Sequence, residues 1–294
     1  MEIQMDNNER LRIIEKYIKG MPSLPVTVTK VKEICDNPRT SPMDLYKVIS
    51  LDPVLMGKVM KLINSAYYGI SGRVTSLVRA IIMLGMNTVK NLALSTSVMG
   101  IMSGKTCPGM PNSTRFWQHS LCTGIAAKIL ARETGKDRNT AEEYFIAGML
   151  HDIGKIPIIT CFGDEYKIIM AESGKKDETM FEAERRVFKF DHALAGQFIA
   201  QQWSLGEQLE NVIAHHHEPF SVPDDKNRDI VYTIAIAEYF TNNIGYKFAE
   251  GFSVDVPDNE IFTSTGITEE ILSGIEDTVR NELEKARVFL DFKE

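Results

Sequence analysis

The sequence predicts an all-α protein, and three observations carry that reading. Apolar residues recur at intervals of three and four along most of the chain, the period of a helix with one buried face. The breaks between these stretches hold helix-start and helix-stop residues, with Ser or Asp before Pro at one end and Gly or Pro at the other. There is no internal repeat and no low-complexity segment, so the helices belong to a globular body rather than a solenoid.

In order, Leu11, Ile14, Tyr17 and Ile18 mark a first helix, which the two prolines of Gly20-Met21-Pro22-Ser23-Leu24-Pro25 end. A second runs through Val28, Val31, Ile34 and Cys35 to Pro38. Ser41 followed by Pro42 is a cap with proline at the first helical position, opening a helix through Leu45, Val48 and Ile49. Asp52-Pro53 repeats that signal for Leu55, Val59, Leu62 and Ile63, up to Asn64-Ser65-Ala66-Tyr67-Tyr68-Gly69. Two more apolar helices are expected at 75–84 and 87–101, completing an N-terminal bundle over residues 1–105. A Gly-, Pro- and Ser-rich stretch places a linker at 106–114. A second helical core over 115–242 is expected to hold helices at 115–133, 140–151, 192–203, 206–217 and 229–242. Residues 243–266 lack periodicity and are read as irregular. A last helix from Thr268 carries Ile271, Ile275, Val279, Leu283, Ala286 and Leu290, closing the region 243–294.

The 294 residues suffice for about two ordinary domains. With 44% hydrophobic and 25% charged residues, the composition is that of a globular protein. No apolar run approaches the ~18 residues of a membrane span, and the charged start lacks the apolar stretch of a signal peptide, so a cytoplasmic protein without membrane contact is expected. Cys35, Cys107, Cys122 and Cys161 are widely spaced and form no CxxC pair, which argues against a zinc knuckle or redox motif and for reduced thiols. Charge is uneven: residues 1–105 hold 14 Lys+Arg and 8 Asp+Glu, a net +6, within a chain of net −7. That basic half is a candidate partner-facing surface. It has no dense Lys/Arg run with interleaved aromatics, so scattered solvated lysines are the plainer reading and nucleic acid is not the expected partner.

All six histidines lie between His119 and His217, and one opens the string His151-Asp152-Ile153-Gly154-Lys155. Imidazole and carboxylate are ligands for divalent transition metals, and a lysine four residues on faces the same way and suits an anionic substrate. Helical phase places other candidates inward. His119 shares a stripe with Phe116, Thr123, Ala126, Ala127 and Leu130, and His216 one with Leu209, Val212 and Ile213. Glu238 sits among Val231, Ile234 and Ala235, where a carboxylate needs a partner and a metal ion would be one. Each also has a plainer reading: a hydrogen-bonded core histidine, a lysine partner for Glu238, or Asp191 merely capping the helix that His192 opens.

In these residues and several motifs the chain resembles the HDOD domain, the HD-related output domain of bacterial signalling proteins. In the first half the resemblance rests on Leu24-Pro25, Leu51-Asp52-Pro53-Val54-Leu55, Asn64-Ser65-Ala66-Tyr67-Tyr68 and Ala80-Ile81-Ile82-Met83-Leu84-Gly85. In the second half Phe116-Trp117-Gln118-His119-Ser120, Ala147 to Lys155 and His215-His216-His217-Glu218 also resemble the HD-GYP cyclic dinucleotide phosphodiesterases. The resemblance implies an all-α fold with an HD-like metal-binding core. It makes His119, His151 and Asp152 ligands, with Asp152 bridging when two ions are present, and His192, His216 and His217 the further histidines of the dinuclear type. Glu238 stands where that pattern has aspartate. Two departures count against cyclic dinucleotide hydrolysis: Pro219-Phe220-Ser221 replaces the GYP segment, and Arg115 stands where those enzymes often carry glutamate.

Two functions follow from the resemblance. One is a regulatory module that signals through protein partners on its N-terminal half, with the metal site kept for structure or sensing. The other is a phosphohydrolase acting on a nucleotide or other phosphoester, with Asp152 and Lys155 as the catalytic pair, Lys155 binding a phosphate oxygen. Both call for one or two divalent ions, with iron, manganese, zinc and nickel all suited to nitrogen-rich, oxygen-containing ligation. A metal centre open to water separates the second from the first.

Overall fold

The computed structural model describes residues 7–102, 113–172, 174–223 and 225–292, and among these every regular element is helical. The first half comprises α1 (Asn7–Gly20), α2 (Val26–Asp36), α3 (Pro42–Ile49), α4 (Pro53–Ile63), α5 (Leu77–Leu84) and α6 (Met86–Met102). Their boundaries follow the local chemistry. Ser41 and Asp44 form a reciprocal capping box at the start of α3, and Asp52 accepts the Leu55 amide at 2.9 Å to open α4. Asn64, first of the Asn-Ser-Ala-Tyr-Tyr string, accepts the Val74 amide at 2.8 Å and donates to its carbonyl at 2.9 Å, tying down the loop that leads to α5.

The second half contains α7 (Ser113–Glu133), α8 (Arg138–Leu150), α9 (Lys155–Cys161), α10 (Gly163–Glu172), α11 (Met180–Phe188), α12 (His192–Gln202), α13 (Glu207–His215), α14 (Asp225–Asn243), α15 (Asn259–Thr265) and α16 (Glu269–Lys285). A 3₁₀ turn at Pro219–Ser221 and another at Ala286–Phe292 complete the course. Two expectations need correction. The stretch 243–266 is not irregular throughout, because Asp258 caps α15 through the Glu260 amide. Residues 155–188, to which periodicity assigned nothing, form three helices too short for their apolar spacing to register. Most of the expected linker at 106–114, with Cys107, lies outside the described residues; Ser113 and Thr114 already belong to α7.

The hydrophobic core runs continuously through both halves. α6 packs on α8, where Asn91 donates to the Glu142 carbonyl at 2.8 Å. α1 lies against α9 and α12, fixed by hydrogen bonds from Arg10 to the Val187 carbonyl (2.7 Å) and from Gln202 to the Ile18 carbonyl (2.9 Å). The tyrosines of the Asn-Ser-Ala-Tyr-Tyr string reach α7: the Lys128 ammonium lies 5.0 Å from the Tyr67 ring centre and pairs with buried Glu142 at 2.7 Å. α7 and α8 cross at Gly124 and Gly148, so closely that a Cβ on Gly148 would sit 2.8 Å from the Gly124 Cα. That approach brings the start of α7 and the end of α8 together, and it is there that the candidate ligands gather. Among the described residues, no single helix is long and apolar enough to cross a membrane.

Candidate metal centre

His119 points inward from α7, as its stripe predicted. His151 and Asp152 occupy the turn just past the end of α8, His192 opens α12, His216 and His217 follow the last residue of α13, and Glu238 projects from α14. Three of these positions are helix ends, where the chain turns and side chains can converge from several directions. Close backbone packing holds the turn in place. Gly154 runs so near α12 that a Cβ there would lie 1.9 Å from the His192 carbonyl oxygen and 2.4 Å from the Gly196 nitrogen. Asp191 caps α12 by accepting the Leu194 amide at 2.9 Å, which sets the direction of His192 beside it.

All seven sequence-nominated ligands come together, in two sets that share one carboxylate. Asp152, His192, His216 and His217 form one set; His119, His151, Asp152 and Glu238 form the other. Within each set the potential donor atoms lie within 4.8 Å of one another. The Asp152 oxygens divide the work. Oδ1 faces His192 Nε2 at 3.1 Å and His216 Nε2 at 3.8 Å, while Oδ2 faces His119 Nε2 at 3.5 Å and His151 Nε2 at 3.4 Å.

The other ring nitrogen of each of these histidines is already committed. Nδ1 of His119 meets the Tyr246 carbonyl at 2.8 Å, that of His151 the Gly148 carbonyl at 2.7 Å, and that of His216 the Ile213 carbonyl at 3.0 Å. Nδ1 of His192 meets Glu184 at 2.7 Å, and that of His217 meets Asp255 at 2.6 Å. Carbonyl and carboxylate oxygens only accept, so every Nδ1 carries the proton and donates, and in the neutral ring every Nε2 is a bare lone pair. Those five lone pairs face one another and Asp152. The His192 and His217 Nε2 atoms are only 2.9 Å apart, and Nε2 of His119 and Nε2 of His151 are buried without a hydrogen-bond partner among the described residues. Electron-rich atoms so arranged need a cation between them, and the donor set fits a transition-metal ion.

Electrostatics agree. Burial pushes the His151 imidazole down to about 4, keeping it neutral. His217 is also held well below the ordinary histidine range by burial and by the neighbouring His216. Burial works against a charged His192 too, yet the Glu184 carboxylate and Asp152 lift it to about 9, so without metal this ring keeps a second proton. A metal ion at Nε2 takes that proton's place. Despite the cost of burial, Asp152 stays ionised well below the usual carboxylate range, facing His151 and the Lys155 ammonium. Lys155 lies 2.5 Å from Asp152 Oδ2, which makes it in this arrangement an ion-pair partner of the shared carboxylate.

The centre opens on a cleft of about 560 Å³. His119, Lys155, His216, His217 and Glu238 border it on one side, and Phe181, stacked on His217 with ring centres 4.6 Å apart, walls another. Residues 247–258 form a further stretch of the rim, including Phe248 and Asp255, which stands behind His217, while the Tyr246 carbonyl lies behind His119. Glu184 and Asp255 escaped the sequence reading. The capping box at Thr179 and Glu182 is a local signal for the helix that carries Glu184, whereas nothing local marks Asp255.

Comparison with known proteins places the chain in a family. The family model of the HDOD domain matches residues 21–219. An uncharacterized protein of Treponema pallidum (strain Nichols) is 24% identical over 251 residues, covering 85% of this chain, which spans only about half (47%) of that relative's length. Among solved structures, an HDOD domain protein of unknown function from Geobacter sulfurreducens superposes with a TM-score of 0.75 at 23% identity, covering 97% of this chain and 99% of its own. A protein of Shewanella amazonensis SB2B, inferred to be a phosphohydrolase, gives 0.72 at 21% identity, with 96% and 98% covered. At these identities the likeness is one of fold.

Proposed function

Because the chain belongs to the HDOD family, we propose that it is a signalling protein that has kept an HD-type metal centre and binds a phosphoester ligand upon it. One observation carries this: five histidines commit Nδ1 elsewhere and turn five Nε2 atoms toward a shared buried carboxylate. His119, His151, Asp152 and Glu238 would hold one ion, and Asp152, His192, His216 and His217 a second. Bound there, such ions acidify water and stabilise charge on phosphoryl oxygens. The chain's own groups would do the rest. Lys155, at the cleft margin, offers positive charge to a phosphate oxygen as a point charge. Phe181 and Phe248 give the cleft an apolar wall beside the ligands. On the first half, exposed Leu51, Val54 and Ile82 together with the net charge of +6 are the proposed partner-facing surface.

Turnover of the phosphoester is the second reading, and the cleft favours it. A purely structural metal is sealed by its ligands, whereas here both sets border open space. Protein purified without chelator should contain transition metal, and Asp152→Asn should lose most of it. Metal-loaded protein should be assayed against phosphodiesters and phosphomonoesters over a panel of divalent ions. Turnover abolished in Asp152→Asn supports hydrolysis; a loaded centre without turnover leaves a sensing role. A wild-type protein free of metal refutes both.

A further inference from the structure

The two sets of ligands are built from different chemistry. In the set of Asp152, His192, His216 and His217 there are three imidazoles, two of them backed by carboxylates: Glu184 behind His192 and Asp255 behind His217. Glu184 is fully buried and fixed by the Tyr166 hydroxyl at 3.1 Å and the His192 amide at 2.8 Å, so its charge is unscreened and its aim is set. A carboxylate accepting the Nδ1 proton makes the imidazole more basic at Nε2, and losing such a partner typically weakens metal binding by about 10–100-fold. In the set of His119, His151, Asp152 and Glu238 there are two imidazoles, both backed only by neutral carbonyls.

Lys155 makes the contrast sharper. Its ammonium sits against Oδ2 of Asp152, the oxygen turned toward His119 and His151, and leaves Oδ1, turned toward His192, to the other set. A cation entering between His119, His151 and Glu238 must share that oxygen with a positive charge or displace it. Resting on the metal-centre reading above, we infer that the two positions are unequal: the one framed by Asp152, His192, His216 and His217 holds its ion tightly. The one framed by His119, His151, Asp152 and Glu238 is exchangeable, because Lys155 stands in there for the second ion. Filling the second position then frees Lys155 toward the cleft it borders, so the number of ions bound sets whether the cleft presents an anion-binding ammonium.

The test is a titration of metal-stripped full-length protein with Zn²⁺ and, separately, Mn²⁺, followed by calorimetry and by competition with a chromophoric chelator. Two classes of site are expected, with the weaker preferring Mn²⁺ less poorly than the tighter, since it has more oxygen ligands and fewer nitrogens. Glu184→Gln and Asp255→Asn should each weaken the tight class by about 10–100-fold. Lys155→Met should strengthen the weak class by about tenfold or more, through removal of a like charge, and the tight class, which meets only the far oxygen of Asp152, by less. Melting curves of the metal-loaded variants control for folding, and Asp255→Asn, at a partly exposed position, keeps the test open should Lys155→Met fold poorly. Two equivalent sites, or a weak class unmoved or weakened by Lys155→Met, would overturn the inference while leaving the metal centre standing. No binding of either ion by the wild type would remove the centre and the inference together.

Discussion

Gly154→Ala is the smallest change that should dismantle the centre without touching a ligand. The added Cβ would lie 1.9 Å from the His192 carbonyl oxygen and 2.4 Å from the Gly196 nitrogen, whereas ordinary contacts begin at 3.4 Å. Both obstructing atoms are backbone, so no side-chain rotation relieves the clash. The turn and α12 must separate by about 1.5 Å. His192 travels with α12, and its Nε2 now stands 3.1 Å from Asp152 and 2.9 Å from His217 Nε2. A shift of that size takes it out of any common coordination sphere. Overpacking a tight core costs about 1–3 kcal/mol, and backbone obstruction puts this substitution at the upper end. Urea denaturation of metal-stripped protein should show the loss of about 3 kcal/mol, and metal analysis should show the position containing His192 depleted. Wild-type stability together with wild-type metal content in Gly154→Ala would refute the argument that close backbone packing of Gly154 on α12 builds the site.

Two further outcomes test other parts of the structure. Lys128 and Glu142 form a buried ion pair beneath Tyr67, so Lys128→Met alone, which strands the Glu142 carboxylate, should cost about 3–5 kcal/mol; the double variant Lys128→Met/Glu142→Gln should recover most of it in thermal melts. In metal-stripped protein, His192 is raised to about 9 from 6.5, so its stabilising contribution is complete below pH 6.5 and disappears as pH rises through 9. Stability measured by urea at a series of pH values should therefore decline across that window, and Glu184→Gln should flatten the decline; an equal slope in both proteins would show that the Glu184–His192 pair is not its source.

What could be read from the sequence divides by range of interaction. Caps and breakers act over three or four residues, so Ser41-Pro42 and Asp52-Pro53 announced α3 and α4 where they occur. Helical phase is also local, and it turned His119, His216 and Glu238 to the buried side, where the structure has them. α9, α10 and α11 are 7, 10 and 9 residues long, and in so short a span an apolar face repeats only twice, too seldom to stand out. Glu184 was lost with α11. α15 was missed for the same reason, its 7 residues lying in a stretch of Gly, Pro and Asp.

Asp255 and the Tyr246 carbonyl show a different limit. They reach His217 and His119 across 38 and 127 residues of chain, and no spacing rule links residues so far apart. Yet the need for such groups follows from the histidines themselves. An imidazole that is to offer Nε2 to a cation must have Nδ1 protonated, and a buried Nδ1–H without an acceptor costs about 1–3 kcal/mol. Five inward histidines therefore demand five acceptors near the centre. Helix carbonyls one turn back serve His151 and His216 at no cost in new structure, at Gly148 and Ile213. The other three lack such a neighbour, and it is for them that the fold brings in α11 and the segment 246–258. These acceptors thus come from the parts of the chain where periodicity is weakest, the short helix α11 for Glu184 and the stretch after α14 for Asp255 and the Tyr246 carbonyl, placed there by the ligands they support.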